Sequence, residues 1–359
     1  MTDPVDLLIV GAGPTGIAIG AEARRAGVDA LLVDRGGLCA SIQQWPTDIE
    51  FFTTRDRLEI ADIPFGTPDD KPTRRQALAY YAGVARRYAL ALAPYEEVLS
   101  VRRGDDGRFT IDSRSIESRT SDSPTVGRRT ATLGRSVRRR ARAVVLATGY
   151  FEQPRRLDVP GEELPWVRQR YREPWGHFGQ HVVVVGGANS AVKTALDLWR
   201  HDVRVTLVHR GAALKPSVKY WLEPDIVNRI DEGSIDGRFE TVVEAFHADH
   251  RVALRGPDGA TTLEEVGAVY VQIGYEPDVE LQRRCGVEVD ADTLVPRFDP
   301  ATCETNVPGL YVAGTLQAGR RTDQIFIENS RDHGERIVAH LCPILEADGV
   351  AGGRRTGTC

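Results

Sequence analysis

The sequence predicts an α/β protein made of two doubly wound modules, each a parallel sheet with helices over both faces. Three observations carry this. The run Val5 to Val10 leads into Gly11, then a small-residue stretch ending at Gly27, then a second apolar run from Ala30 to Val33. The same build returns at His181 to Val185, Gly186, a helical stretch from about Ser190 to Arg200, and Val203 to Val208. The strand-like runs are continuously apolar, as expected where both sheet faces are buried. At 359 residues the chain is long enough for two such modules, each with its own core.

Taken in order, the first β-α-β unit is followed by a third strand-like run, Ala143 to Leu146, ending in Ala147-Thr148-Gly149, and far downstream by a fourth, Leu310 to Ala313, ending in Gly314. Their positions make the first module discontinuous, residues 1–165 and 275–345, with the second, 166–274, inserted. Between Asp112 and Arg142 the composition turns to Ser, Thr and Arg, with nine arginines against three acids and no apolar period. A solvated, disordered insertion is expected at 112–142 in preference to an anion- or nucleic-acid-binding patch. The Gly- and Arg-rich tail, 346–359, is expected to be disordered too.

The composition, 41% hydrophobic and 27% charged, is that of a globular protein. No apolar run approaches the roughly 18 residues of a membrane span, and the N-terminus goes straight into a strand-like run without a secretory signal. A cytoplasmic protein is expected, with no membrane partner. The net charge of −5 gives no overall attraction to nucleic acid. Cys39, Cys285, Cys303, Cys342 and Cys359 show neither a CxxC nor metal-ligand spacing, so no disulfide framework and no metal site is expected.

Gly11, Gly13 and Gly16 form GxGxxG, with Pro14 and Thr15 inside the loop, between a strand and a helix. The first glycine allows the tight turn, the second lets backbone amides approach a pyrophosphate, and the third lets helix and strand pack closely. Asp34, 23 residues after Gly11 and followed by Arg35, ends the second strand where a carboxylate accepts from a ribose. The second unit reads Gly186-Gly187-Ala188-Asn189-Ser190-Ala191, and His209 and Arg210 stand where the first unit has its acid. An acid repels a 2′-phosphate, whereas His and Arg pair with it, so NADP is expected over NAD. Lys215 and Lys219 follow on a loop as further phosphate contacts, with Trp221 placed to cover the cofactor. Two nucleotide sites, only one tuned for a 2′-phosphate, point to a flavoprotein reductase using FAD and NADPH.

The two Rossmann-like domains resemble the thioredoxin reductase-like flavoproteins, with Ala147-Thr148-Gly149 and the turn at Ala313-Gly314 where that superfamily contacts FAD. More narrowly, the sequence resembles the bacillithiol disulfide reductase family. The matching residues are Ser41-Ile42 with Trp45-Pro46, Phe51-Phe52-Thr53-Thr54 with Leu58-Glu59-Ile60, Asn189-Ser190-Ala191-Val192, Ser217 with Lys219 and Trp221, Glu304-Thr305-Asn306-Val307, and Ile325-Phe326-Ile327-Glu328-Asn329 with His333-Gly334. The resemblance implies FAD contacts at Ser41, Ile42, Thr148, Gly149 and Gly314, and a helix starting at Gln324 and Ile325 whose N-terminus faces the flavin pyrimidine edge. His333, further along, reads as a proton donor or a core histidine. Cys39, in a GGLC turn, lies where related disulfide reductases approach the flavin, or is an inert thiol.

Two departures matter. The family typically places a cysteine in the first glycine loop, where this chain has Thr15, and thioredoxin reductases carry a CxxC that is missing here. A hydroxyl does not replace a thiolate at neutral pH. Two functions therefore stay open: reduction of bacillithiol disulfide or another low-molecular-weight disulfide, and an NADPH-dependent flavin reductase delivering electrons to a redox protein such as ferredoxin or flavodoxin, or to a quinone. A homo-oligomer is expected in either case. A flavin monooxygenase is disfavoured, because VPGEELPWV stands where its FxGxxxH pattern belongs.

Overall fold

The structure, a computed structural model, describes residues 4–118 and 131–351. The chain divides into two compact units. The first takes the residues up to Gln43, those from Glu50 to Gln153 and those from Glu276 onward, and the second takes Gln44–Ile49 and Pro154–Tyr275. The second unit thus begins upstream of residue 166 and also takes in 44–49.

The first unit opens with β1 (Val5–Val10), α1 (Pro14–Arg25) and β2 (Ala30–Asp34). A short α2 (Ala40–Gln43) follows, then α3 (Arg74–Arg87), which starts at a capping box: Gln76 N–H donates to Thr73 Oγ1, and Thr73 N–H donates to Gln76 Oε1. Tyr80 and Tyr81 on α3 and Tyr88 at its C-terminal cap donate to the carbonyls of Ile63, Leu58 and Ala61, which ties the 58–63 loop to the helix. The strands β3 (Ala91–Pro94), β4 (Glu96–Arg103), β5 (Phe109–Ser118) and β6 (Ala131–Leu146) complete this part. The sheet order is β3-β2-β1-β6-β5-β4, parallel from β3 to β6 and antiparallel beyond.

The 112–142 segment corrects the sequence reading. Residues 112–118 belong to β5 and 131–142 to β6, and only 119–130 lie outside the described residues. Arg114, Arg138, Arg139 and Arg140 are strand residues whose charge is matched by acids of β4, β5 and the turn between them. Arg138 Nε donates to Asp112 Oδ1 at 2.7 Å, Arg140 pairs with Asp106, and Arg139 grips Glu96 with two bonds of 2.9 and 2.7 Å. The Glu96 carboxyl is desolvated, which favours its neutral form, but the Arg139 guanidinium and the Ser113 hydroxyl outweigh this and hold it below the usual range. Past Arg142 the same strand becomes apolar and wholly buried, Ala143 to Leu146 at 0% exposure.

The chain leaves the first unit within β7 (Gln153–Pro154). The second unit holds β8 (Val167–Arg168), β9 (His181–Val185), α4 (Asn189–Trp199), β10 (Arg204–Val208), α5 (Glu223–Asp231) and β11 (Asp236–Arg238). An antiparallel meander of β12 (Val242–His247), β13 (Arg251–Arg255) and β14 (Thr261–Glu265) precedes β15 (Ala268–Val271). The parallel sheet runs β11-β10-β9-β15-β8, and Val182, Val184, Val205 and Leu207 pack against Ala191, Val192, Ala195 and Leu196 of α4. Burying one such aliphatic side chain contributes about 1.5–3 kcal/mol.

The chain returns within β16 (Tyr275–Glu276) and continues through α6 (Glu280–Arg284), β17 (Leu310–Val312) and α7 (His333–Ala351). β17 joins the first sheet beside β6 in parallel register, Leu310 opposite Val144, and its residues share a core with Leu8, Val33 and Leu146. The tail is also corrected: 346–351 continue α7, which is anchored by buried Ile337, Val338, Leu341 and Leu345 at helical spacing, and 352–359 lie outside the described residues.

Candidate functional site

In the first unit, β1 ends at Gly11 with φ +115°, and α1 begins after Gly13 with Pro14 at its first position and no side-chain cap. A Cβ on Gly11 would fall 2.4 Å from the Ala147 carbonyl oxygen, and one on Gly16 would fall 2.0 Å from the Gly11 oxygen. A Cβ on Gly13 would meet nothing within 4 Å. Two glycines of the motif are therefore walled in by backbone, while the third faces open space beside the uncapped N–H groups of a helix. That is the cradle a dinucleotide pyrophosphate requires, so the residues present fit FAD.

Asp34 closes the loop from behind. Its Oδ2 accepts from Ala12 N–H and its Oδ1 from Gly36 N–H, both at 2.7 Å. Desolvation raises its pKa against those two bonds. Each oxygen keeps a lone pair, so a ribose contact is compatible with this bracing. Arg35, expected at the cofactor, is paired with Glu152 at 2.6 Å. Ser41 and Ile42 lie on α2, Ile42 buried. Thr148 is exposed and Gly149 adopts φ +70° just after β6.

Cys39 is corrected as a catalytic candidate. It is 2% exposed, its N–H donates to the Ala12 oxygen at 2.9 Å, and burial, aided by the Asp34 charge, pushes its thiol far up. A reactive thiolate needs the opposite surroundings. His333 is corrected in the same way. It starts α7 at 3% exposure, its Nδ1 accepts from Gly314 N–H at 3.1 Å, and burial lowers its pKa to about 4. It is a neutral core histidine that holds the turn after β17.

Gln324 and Ile325 do not begin a helix. Asn329 takes Phe326 N–H on its Oδ1 and gives its Nδ2 to the Gln324 oxygen, both at 2.7 Å, and Ser330 Oγ donates to the Phe326 oxygen. These side-chain bonds compete with helical pairing, so only a short 3-10 turn forms at Ile327–Asn329. Ser330 also comes within 3.4 Å of the Thr15 hydroxyl, a contact that nothing in the sequence signals across 315 positions.

In the second unit, Gly186 with φ +148° turns the chain out of β9 into α4. His209 does not face outward as a phosphate cation. Its imidazole is buried, and burial first, then Lys215 and Arg210, lowers its pKa. Arg210, Lys215 and Lys219 are exposed, and among the described residues none of them has an ion-pair partner. Lys215 N–H donates to the Gly187 oxygen at 2.8 Å. Asn189 turns its amide to the following loop, with Nδ2 on the Ser217 oxygen and Oδ1 on Lys219 N–H, both at 2.9 Å. Ser190 is exposed at the helix start and Ala191 is buried. Uncapped N–H groups at the α4 N-terminus, with cations nearby that have no ion-pair partner among the described residues, fit a phosphorylated dinucleotide. No group of His, Cys, Asp and Glu arranged for a metal occurs among the described residues.

The fold and the two glycine turns define a class, and comparison with known proteins bears it out. The model of the pyridine nucleotide-disulphide oxidoreductases matches residues 8–122 and 135–314, and the chain belongs to that family. It is an FAD-dependent oxidoreductase that draws on NADPH. It is 34% identical over 334 residues to bacilliredoxin reductase Bdr of Bacillus subtilis, covering 93% of this chain and 96% of the relative. The solved bacillithiol disulfide reductase Bdr from Bacillus cereus superposes with a TM-score of 0.86 at 32% identity, over 94% of this chain and 99% of that one. A ferredoxin–NADP reductase of Ignicoccus hospitalis is 23% identical over 87% of this chain and 90% of its own length. No helix among the described residues is long and apolar enough to cross a membrane.

Proposed function

We propose that the protein reduces a low-molecular-weight disulfide with NADPH, bacillithiol disulfide being the first substrate to test. In balance, NADPH, a proton and one disulfide give NADP+ and two thiols. The observation that carries this reading is the near full-length similarity to bacilliredoxin reductase Bdr. FAD, when bound, supplies the two-electron relay between nicotinamide and acceptor. The chain contributes amide groups of the Gly11–Gly16 loop for one pyrophosphate, those of the Gly186–Ser190 turn for the other, and Arg210 with its neighbouring lysines for the 2′-phosphate. His333 keeps the Gly314 turn in place. A cytoplasmic homo-oligomer completes the proposal.

A second reading, electron delivery to ferredoxin, flavodoxin or a quinone, is favoured by one observation. Burial pushes up the thiols of Cys39, Cys285 and Cys303, so none of these three is poised as a nucleophile. The deciding experiment is anaerobic. NADPH should bleach the yellow protein, and bacillithiol disulfide, added afterwards, should restore the colour within a turnover. Reoxidation by ferredoxin or a quinone with no response to any disulfide would replace the first reading by the second.

A further inference from the structure

The glycine turn of the second unit is gripped from three sides. The His209 ring lies beneath Gly187, Lys215 N–H bonds the Gly187 oxygen at 2.8 Å, and Asn189 spends both ends of its amide on the loop that follows β10. The third grip is unexpected, because Asn189 is the first residue of α4 and the sequence motif puts it against the cofactor. Its Nδ2 and Oδ1 are instead taken by the Ser217 oxygen and Lys219 N–H at 2.9 Å each. Val218, between these two anchor points, is 6% exposed and packed in the core with Val205 and Leu207, while Leu214 and Leu222 pack at its edge. The loop is thus sewn down at alternate residues, and the lysines flanking the seam, Lys215 and Lys219, remain exposed and without an ion-pair partner among the described residues.

We propose that Asn189 is a positioning residue for coenzyme choice: it clamps the Ser217–Lys219 backbone to the start of α4 and so fixes Lys219, which with Lys215 and Arg210 meets the 2′-phosphate. The proposal rests on the second unit being the NADPH unit. Asn189 itself needs no contact with the dinucleotide. Releasing the clamp lets the Lys219 ammonium move away from a fixed phosphate, and a mobile cation loses most of its advantage to side-chain entropy and screening. The loss falls on the phosphorylated coenzyme alone, since NAD+ offers that lysine nothing to bind.

The test is calorimetric titration of NADP+ and NAD+ into the flavin-loaded wild type, Asn189→Ala and Asn189→Asp. Asn189→Ala is expected to weaken NADP+ about tenfold, to leave NAD+ within about twofold, and to flatten the salt dependence of NADP+ binding. Asn189→Asp, which keeps the acceptor for Lys219 N–H and loses the donor to Ser217, should lie between, and it carries the comparison if the alanine variant does not fold. Equal weakening of both coenzymes would make Asn189 a direct pyrophosphate contact and overturn the proposal, as would unchanged NADP+ affinity. A wild type that does not prefer NADP+ would overturn the underlying assignment of the second unit, whatever the variants do.

Discussion

The imidazole of His209 occupies the space that a side chain at Gly187 would need. A Cβ there would fall 2.5 Å from both Cε1 and Nδ1 of the ring. Both residues stand at positions where a nucleotide contact is expected, yet they are packed against each other, which leaves the exposed cations next in sequence as the proposed selectors of the coenzyme.

On the proposed reading of the second unit, Arg210 is the main discriminating cation. One charge-assisted bidentate contact is worth roughly 1.5–3 kcal/mol, so Arg210→Ala should raise the KM for NADPH by about one to two orders of magnitude and leave NADH nearly unchanged. Steady-state kinetics with both coenzymes checks this, and equal use of the two by the wild type would count against it.

Two glycines of the first loop should fail differently. Gly13 has open space where its Cβ would sit and an ordinary negative φ, so Gly13→Val should fold and purify colourless. Gly16→Ala would drive a methyl group into the Gly11 carbonyl, and should lower the melting temperature or prevent folding. Flavin absorbance per protein and thermal melts separate the two effects. Full flavin occupancy in Gly13→Val would remove the pyrophosphate assignment.

Cys39→Ser should keep most of its acceptor turnover, because the thiol is buried and held protonated. The expected change is a modest loss of stability from burying a hydroxyl, about 1–3 kcal/mol. A selective loss of acceptor reduction with intact NADPH-to-flavin transfer would make Cys39 the redox thiol after all.

His333 gives the first unit a pH dependence. Its folded pKa of about 4 lies below the unfolded value near 6.5, so the unfolded chain binds the proton more readily between those two limits. Its contribution is complete above about pH 6.5, declines as pH falls, and is spent near pH 4, for a total of roughly 3 kcal/mol. His333→Asn, which retains an acceptor for Gly314 N–H, should remove this part of the slope. Urea midpoints of the two proteins at several pH values between 4 and 7 test it, and parallel curves would contradict it.

Much of this was legible in sequence because its causes are local. The turn at Gly11 and the close approach at Gly16 depend on residues within a few positions, and β1, β9 and β10 stand out because both faces of their sheets are buried. The arginine-rich strands were misread because their compensation is remote in sequence: Arg139 finds Glu96 and Arg138 finds Asp112 only once β4, β5 and β6 are paired. Composition alone cannot separate a charged strand with cross-strand partners from a solvated loop. The burial of Cys39 and His333, and the double commitment of Asn189, are likewise products of tertiary contacts with no counterpart in a motif.

The place of β17 sets an order of assembly. This strand supplies Leu310 and Val312 to the first core and aligns with β6, yet it is made only after the whole second unit has left the ribosome. Apart from the stretch 44–49, the second unit is contiguous, whereas the first unit waits with one flank of β6 bare. During that interval an apolar strand edge is open to other chains, the kind of intermediate that aggregates or recruits chaperones. Yield of the intact protein should then depend on how fast residues 276–351 follow, more than on how stable the finished fold is.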